Sequence, residues 1–213
     1  MPTLAGTETW IFDLDNTLYP PSAGLLAEID ARIEAFIARE LRVGPAEAHR
    51  VRVEGWRRHG ITVNALAEDH GVDPHAFLAE VHAVDLSGLA PDPALGAALA
   101  RLPGRCVVHT NSARVHAQGV LDALGIAEAF EAVFAIEDKG FAAKPTRAAF
   151  AHVLEGTGAD PRRAVMVEDT PGNLVEPRRL GMTTVWLAEG AAGSPTHVDH
   201  RIDDLRAFLE AAV

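Results

Sequence analysis

The chain has 213 residues, of which 48% are apolar and 23% charged, and its formal net charge is -11. Such a composition is typical of a soluble globular protein with one substantial α/β domain, or with a core domain and a smaller insert. The acidic balance argues against binding nucleic-acid polymers, which require a concentrated positive field. The net negative charge does not exclude a small anionic ligand, because one metal ion and one lysine can make the electrostatic potential of a site locally positive.

The elements predicted from the sequence begin with a buried strand over residues 9–15, an apolar and β-branched run that ends in carboxylates. Between residues 20 and 88, apolar residues recur at helical spacing and no strand-like run intervenes. From residue 89, short apolar strands alternate with helices, which indicates βαβ units in a parallel sheet covered on both faces. The sequence therefore predicts an α/β fold with a doubly wound parallel core formed by residues 1–19 and 89–213. An all-helical insert of residues 20–88 splits this core after its first strand.

The cellular setting is indicated by features that the sequence lacks. The single cysteine, Cys106, cannot form an internal disulfide. No stretch approaches the roughly 18 apolar residues of a membrane span, and the N-terminus shows no secretory pattern. We therefore expect a cytoplasmic protein without a membrane partner, present as a monomer or a weak homodimer.

Polar residues cluster where the predicted strands end, and ligands of doubly wound sheets bind beyond these ends. Each residue alone has an ordinary explanation as a helix cap, a turn residue or a solvated charge. Their recurrence at four successive loops favours one shared site. The candidates are Asp13, Asp15 and Asn16 after the first strand, Thr110, Asn111 and Ser112 after the second, Lys144 before a helix, and Glu168 and Asp169 at a later strand end.

These residue types indicate hydrolysis of a phosphate monoester. A phosphate dianion repels an anionic nucleophile unless a metal ion shields it, and Mg²⁺ prefers oxygen ligands. We expect Asp13 to attack phosphorus and form an aspartyl phosphate. Asp15 then acts as general acid and afterwards as general base, with a pKa raised by crowding carboxylates. The expected Mg²⁺ ligands are Asp13, Asp15 and Asp169, with Glu168 as a further candidate.

The phosphoryl group itself needs donors and a cation. The hydroxyl of Thr110 and the backbone N–H groups of Asn111 and Ser112 are the predicted donors at a helix N-terminus, with Asn16 as another candidate. Lys144 adds a compact positive charge. We expect its removal to slow catalysis strongly while the fold stays intact.

Four segments resemble the motifs of the haloacid-dehalogenase-like (HAD) hydrolase superfamily, in order: DLDNT, HTNS, the lysine of the KP pair, and VEDTPGN. The resemblance covers essentially the whole chain and implies a HAD-like Rossmannoid core, with residues 20–88 as the helical cap. It implies that Asp13 is the nucleophile and Asp15 the acid/base. Thr110 would be the second-motif phosphate ligand, Lys144 the third-motif lysine and Asp169 the fourth-motif metal carboxylate.

A finer resemblance is to the pyrimidine 5'-nucleotidase branch. It is carried by FDLDNTLYPPSAGLLAEID, by RLPGRCVVHTNSARVHAQGVLDALGI and by the cap segment WRRHGITVNALAEDHGVD. This resemblance implies a phosphatase for UMP or CMP. Many branch members have two aspartates in the fourth motif, whereas this chain has Glu168-Asp169, so the metal role of Glu168 stays open. The candidates for contacting the leaving group are Tyr19 and four neighbours on a cap helix, Trp56, Arg57, Arg58 and His59. A solvated helix face or a hinge contact explains them equally well.

Other functions remain open at this point. The same two aspartates serve a phosphatase for phosphoglycolate or a sugar phosphate, and a phosphomutase. A dehalogenase is disfavoured because that reaction needs neither Asp15 as an acid nor a magnesium site. A phosphonatase is disfavoured because residues 20–88 contain no lysine. A catalytically idle binding module is also disfavoured, because such a protein would be expected to have lost at least one of the central residues. All four are present, namely Asp13, Asp15, Lys144 and Asp169.

Overall fold

The computed structural model describes residue 4 and residues 6–212, and its centre is one six-stranded parallel sheet. The strands are β1 (Thr9–Phe12), β2 (Arg105–His109), β3 (Ala132–Phe134), β4 (Ala164–Glu168), β5 (Thr183–Leu187) and β6 (His200–Ile202). They lie in the order β3-β2-β1-β4-β5-β6, so β1 pairs with both β2 and β4. This arrangement confirms the predicted doubly wound α/β fold.

The central strands are apolar on both faces because both faces are covered by helices. All four residues of β1 are buried, and successive side chains enter opposite cores. The helices that follow β1 are α1 (Leu25–Glu40), α2 (Pro45–His59), α3 (Thr62–His70), α4 (Pro74–Val81), α5 (Pro93–Ala100), α6 (Arg114–Leu124), α7 (Arg147–Thr157), α8 (Val175–Leu180) and α9 (Leu205–Ala211). Trp10 and Phe12 belong to the core that lies under α5, α6 and α9. Ile11 belongs to the core that contains Phe150 and Val153 of α7.

Helices α1 to α4 follow one another between β1 and β2 and cover the carboxyl ends of the strands. Their shared apolar core includes Ala113, Ile136 and Ala143, which lie in the loops after β2, after β3 and before α7. The side-chain amide of Asn64 on α3 also donates to the Phe141 carbonyl at 3.0 Å. A roofed space therefore forms above the edge of the sheet where the candidate residues lie.

Gly55 lets α2 pack closely on α3. A Cβ atom at this position would lie 2.7 Å from the Cβ of Ala65, which is closer than side chains tolerate. The close packing sets the side of α2 that faces the strand ends. Within the described part of the chain, no helix has the length and apolar character needed to cross a membrane.

Candidate active site

A cavity of about 390 Å³ lies between the strand ends and helices α1 to α4. Its floor is lined by most of the predicted site residues, namely Asp13, Asp15, Thr110, Asn111, Ser112, Lys144, Glu168 and Asp169. They come from the loops after β1 and β2, from the last residue of β4 and the loop that follows it, and from the loop before α7. Because these three strands are neighbours in the sheet, residues more than 150 positions apart in sequence meet at one place.

Lys144 is the centre of the charged cluster. Its Nζ donates to Oδ1 of Asp13 at 2.5 Å and to Oε2 of Glu168 at 2.7 Å. All three side chains are buried. The hydroxyl of Thr17 donates to the other Asp13 oxygen at 2.9 Å. Both oxygens of the predicted nucleophile are thus held by donors.

The electrostatics of this cluster leave negative charge in excess. Burial and the charge of Glu168 raise the pKa of Asp13 to about 7, although Lys144 opposes the shift. Burial raises the pKa of Glu168 to about 7, again against Lys144. Burial lowers the pKa of Lys144, but Asp13 and Glu168 outweigh it and raise the pKa overall. One lysine therefore does not neutralise the carboxylates around it.

The residues present fit a divalent cation. One oxygen from each of Asp13, Glu168 and Asp169 lies within 4.8 Å of the others. An all-oxygen set that carries excess negative charge suits Mg²⁺. Glu168, which the sequence leaves open, belongs to this set. The carboxylate of Asp15 does not belong to it, which differs from the expectation that Asp15 is a ligand.

Asp15 is held by three donors instead. Its Oδ1 accepts from Tyr19 Oη at 2.5 Å and from His116 Nε2 at 2.8 Å, and its Oδ2 accepts from Ser112 Oγ at 2.5 Å. Burial raises its pKa, but the hydrogen bond and charge of His116, with Ser112 and Tyr19, prevail and lower the pKa to about 2. The expectation of a raised pKa is therefore wrong, because donors surround this carboxylate where crowding carboxylates were expected.

The loop after β2 is tied to the loop before α7. The Asn111 side chain accepts from the Lys144 backbone N–H at 2.8 Å and donates to the Lys144 carbonyl at 3.3 Å. The Ser112 backbone N–H donates to Thr110 Oγ1 at 2.9 Å. The sequence predicts that this N–H binds phosphate, but it is already used within the loop. That contact leaves the hydroxyl proton of Thr110 available to a phosphoryl oxygen.

Lys139 supports this loop from behind. Its Nζ donates to the Thr110 carbonyl at 2.7 Å from a buried position. Burial and the charge of Lys144 lower the pKa of Lys139 to about 7.

Five predicted residues do not line the cavity. Asn16 and Tyr19 line a separate hollow of about 220 Å³, and Tyr19 is buried with its hydroxyl on Asp15. Arg57 and Arg58 are exposed, and His59 pairs with Asp69 and Glu68. The cavity side of α2 carries Trp56, which is one of the sequence-based candidates, and Arg52, which is not. Positions four apart share a helix face, whereas Arg57 and His59 are turned away from it.

Several contacting residues are absent from the sequence-based set. They are Thr17, Asp30, Arg52, Lys139 and His116. Thr17 stands inside the DLDNT motif, and Ser112 and His116 stand four positions apart, a spacing that fits one side of the α6 N-terminus. Lys139 is one of only two lysines in the chain. Arg52 has no such pattern, since only the folded cap shows its pairing with Asp30 at 3.0 Å and Glu34 at 2.9 Å.

The sequence matches a known protein family, and the fold is similar to those of several solved structures. The sequence profile described as haloacid dehalogenase-like hydrolase matches residues 7–176. A HAD phosphatase from Thermococcus onnurineus is similar with 20% identity and a TM-score of 0.65, over 96% of this chain and 97% of that chain. A predicted phosphoglycolate phosphatase from Haemophilus somnus 129pt has 20% identity and a TM-score of 0.65, over 98% and 99%.

A 2-haloacid dehalogenase from Pseudomonas syringae pv. Tomato DC3000 has 24% identity and a TM-score of 0.62, over 96% of this chain and 97% of that chain. At these identities the likeness establishes a shared fold. It does not distinguish phosphatase from dehalogenase chemistry.

Proposed function

The chain belongs to the haloacid dehalogenase-like hydrolase family, and on that premise we propose that it is a Mg²⁺-dependent phosphomonoesterase. One observation carries the proposal: oxygen atoms of buried Asp13 and Glu168, both paired with Lys144, cluster with an oxygen of the half-buried Asp169 at the strand ends. An excess of buried negative charge on hard oxygen atoms is an arrangement that stabilises a divalent cation and a phosphoryl group together.

In the first step, a carboxylate oxygen of Asp13 attacks phosphorus. The O–P bond to Asp13 forms while the bond to the leaving oxygen breaks, and the leaving oxygen takes a proton. Lys144 and the Thr110 hydroxyl hold the phosphoryl oxygens, whose negative charge they offset. Mg²⁺, held by Asp13, Glu168 and Asp169, supplies charge neutralisation when bound.

In the second step, a water molecule attacks phosphorus and the electrons of the Asp13–phosphorus bond return to the Asp13 carboxylate. Asp15 takes the proton of this water, a role that suits its ionised form. The acid role in the first step requires a protonated Asp15, so its contacts with Tyr19, His116 and Ser112 rearrange before the proton is delivered. The three donors around Asp15 stabilise its ionised form and lower its pKa, so this rearrangement is part of the proposal.

The metal site leads to a direct prediction. Mg²⁺ is expected to raise the thermal midpoint of the wild-type protein, because it binds only the folded arrangement of carboxylates. Asp169→Asn is expected to weaken Mg²⁺ binding by at least about tenfold, since one of three charged ligands is lost. Thermal unfolding with and without Mg²⁺ measures the midpoint, and calorimetric titration with Mg²⁺ measures the affinity of the wild type and of Asp169→Asn. Asp160→Asn, which changes a half-buried carboxylate that caps the 3₁₀ turn Pro161–Arg163 and does not line the cavity, is the matched control. Equal Mg²⁺ affinity in the wild type and Asp169→Asn contradicts the site.

The cap side of the cavity supports a nucleoside monophosphate as substrate. Trp56 is 60% exposed although it lines the cavity, so its ring face is available for stacking. Arg52 and Asp30, paired at 3.0 Å, lie on the same side and offer a donor and an acceptor to the polar edge of a base. We propose that the leaving group is a nucleoside, and the sequence resemblance favours a pyrimidine, as in UMP and CMP.

Phosphoglycolate is less well matched by this cap. Its carboxylate would need an uncompensated cation, but Arg52 is already paired with Asp30 and Glu34. Burial and the charge of His116 lower the pKa of His82 to about 4, so this residue is neutral. Among the described residues that line the cap side, these two are the basic ones.

The proposal is tested by phosphate release from UMP, CMP, dTMP, AMP, GMP, phosphoglycolate and glucose phosphates, with Mg²⁺ and with EDTA. Chloride release from 2-chloropropionate tests the dehalogenase alternative in parallel. We expect Mg²⁺-dependent hydrolysis that is fastest on the pyrimidine nucleotides. Preference for phosphoglycolate or glucose phosphates would keep the chemistry and discard the substrate. Chloride release would overturn the chemistry, and a lack of turnover on every compound would favour an idle binding module.

The cap residues have their own expected outcome. Trp56→Leu is expected to lower kcat/KM for UMP by about tenfold, since stacking of a base on an aromatic ring contributes roughly 1–3 kcal/mol. The activity on p-nitrophenyl phosphate is expected to change little, because this small ester does not need a base contact. Arg57→Gln is the matched control, since Arg57 is exposed on the same helix and does not line the cavity. An equal loss on both esters would contradict a role in leaving-group recognition.

A further inference from the structure

The two lysines of the chain are both buried at this site, whereas every other cationic side chain of fixed charge is an arginine. Lys144 is paired with Asp13 and Glu168. Lys139, at the end of the short 3₁₀ turn Glu137–Lys139, is 7% exposed. The proposed mechanism does not use it.

Lys139 has no carboxylate partner within ion-pair distance among the described residues, and its Nζ contacts the Thr110 carbonyl at 2.7 Å. Burial of an amine that gains only a neutral partner destabilises the folded protein. An arrangement of this kind is more common at functional sites than in packing alone.

The contact joins Lys139 to the loop that is proposed to hold phosphate. A cation at the Thr110 carbonyl oxygen polarises the peptide that links Thr110 to Asn111, and the N–H of that peptide belongs to Asn111. Asn111 lines the cavity floor next to the Thr110 hydroxyl. A more polarised N–H is a stronger donor to a phosphoryl oxygen, and the charge behind the loop attracts the dianion directly.

We propose that Lys139 is a positioning residue that orients and polarises the Thr110–Asn111 peptide for phosphate binding. This inference rests on the proposed phosphatase function, because it assumes that a phosphoryl group occupies the loop. Lys139 does not line the cavity, so it acts through the loop and does not touch substrate.

The test uses the full chain with saturating Mg²⁺ and measures the Kd of inorganic phosphate by calorimetry. Lys139→Met is expected to weaken binding by about tenfold, because the polarising charge is lost. Lys139→Arg keeps a cation and is expected to retain affinity to within about threefold. Arg147→Gln removes an exposed charge at the start of α7 and serves as the matched control, with a change below about twofold.

Thermal unfolding separates this role from a structural one. Lys139→Met replaces a buried amine by an apolar side chain of similar length, so its thermal midpoint is expected to stay level or rise while phosphate affinity falls. With only two lysines, lysine-selective ¹³C,¹⁵N labelling gives two side-chain signals, which Lys139→Arg assigns. Phosphate is expected to shift the Lys139 signal.

Unchanged phosphate affinity in Lys139→Met would overturn the inference. An equal loss in Lys139→Arg would also overturn it, since packing and not charge would then matter. Wild-type protein that binds phosphate but hydrolyses no ester would refute the proposed function. The phosphate affinities of the wild type and the two Lys139 variants would then still support or refute the role of Lys139 in binding. Wild-type protein that does not bind phosphate would overturn both.

Discussion

Asp13→Asn is expected to lower the rate of phosphate release by at least about 10⁴-fold on every ester, because an amide oxygen does not replace the attacking carboxylate. The change also removes the negative charge of one of the three residues proposed to hold Mg²⁺. The two oxygens of Asp13 accept from Lys144 and Thr17, and asparagine keeps one acceptor there. Steady-state phosphate release from UMP with saturating Mg²⁺ measures the effect.

The stability of Asp13→Asn distinguishes lost chemistry from lost structure. Burial and the charge of Glu168 raise the pKa of Asp13 to about 7, which means that its negative charge is unfavourable in the folded protein. Because the substitution removes this charge, strong destabilisation is not expected. Lys144 keeps its contact with Glu168 at 2.7 Å. Asp160→Asn is the matched control, and its activity is expected to equal that of the wild type. Residual activity above about 1% in Asp13→Asn would rule out a nucleophilic role for this carboxylate.

Lys144→Met is expected to reduce kcat by about 10³-fold and to destabilise the protein as well. The loss of a phosphate-binding charge accounts for the slower reaction. The loss of the cation between Asp13 and Glu168 leaves two buried carboxylates unpaired, a change that destabilises by about 3–5 kcal/mol. Urea unfolding in EDTA measures this effect. The two ion pairs of Lys144 thus add a predicted loss of stability to the sequence-based expectation of slower catalysis with an intact fold.

Mg²⁺ provides the control for this second prediction. A divalent cation neutralises the carboxylates that Lys144→Met leaves unpaired, so Mg²⁺ is expected to stabilise this variant more than the wild type. Lys144→Arg, which keeps the charge, is expected to unfold closer to the wild type than Lys144→Met does. Coincident unfolding curves for Lys144→Met and the wild type in EDTA would show that the lysine does not hold the carboxylates together.

The sheet and the residues at its edge were predictable from the sequence because the relevant patterns are local. A continuous apolar run such as TWIF is buried on both faces in a parallel sheet, and short strands that alternate with helices imply βαβ connections. Once the strands are parallel and adjacent, the loops after them meet at one edge. For that reason the local pattern alone is enough to group Asp13, Thr110 and Lys144, while their roles in catalysis stay predictions.

The partners of the site residues were decided by the tertiary structure alone. Asp15 is ionised because Tyr19, Ser112 and His116 converge on it, and a motif of sequence letters does not show which donors surround a carboxylate. Glu168 joins the oxygen cluster, and Asp15 does not, for the same reason.

On the cap, the rotation of α2 brings Arg52 and Trp56 to the cavity and turns Arg57 and His59 away. The order of elements and the chemistry available at the strand ends were predictable from the amino-acid sequence, because both depend on local pattern and residue type. The structure determined which side chains face one another, because that depends on helix rotation and on contacts between residues far apart in the chain.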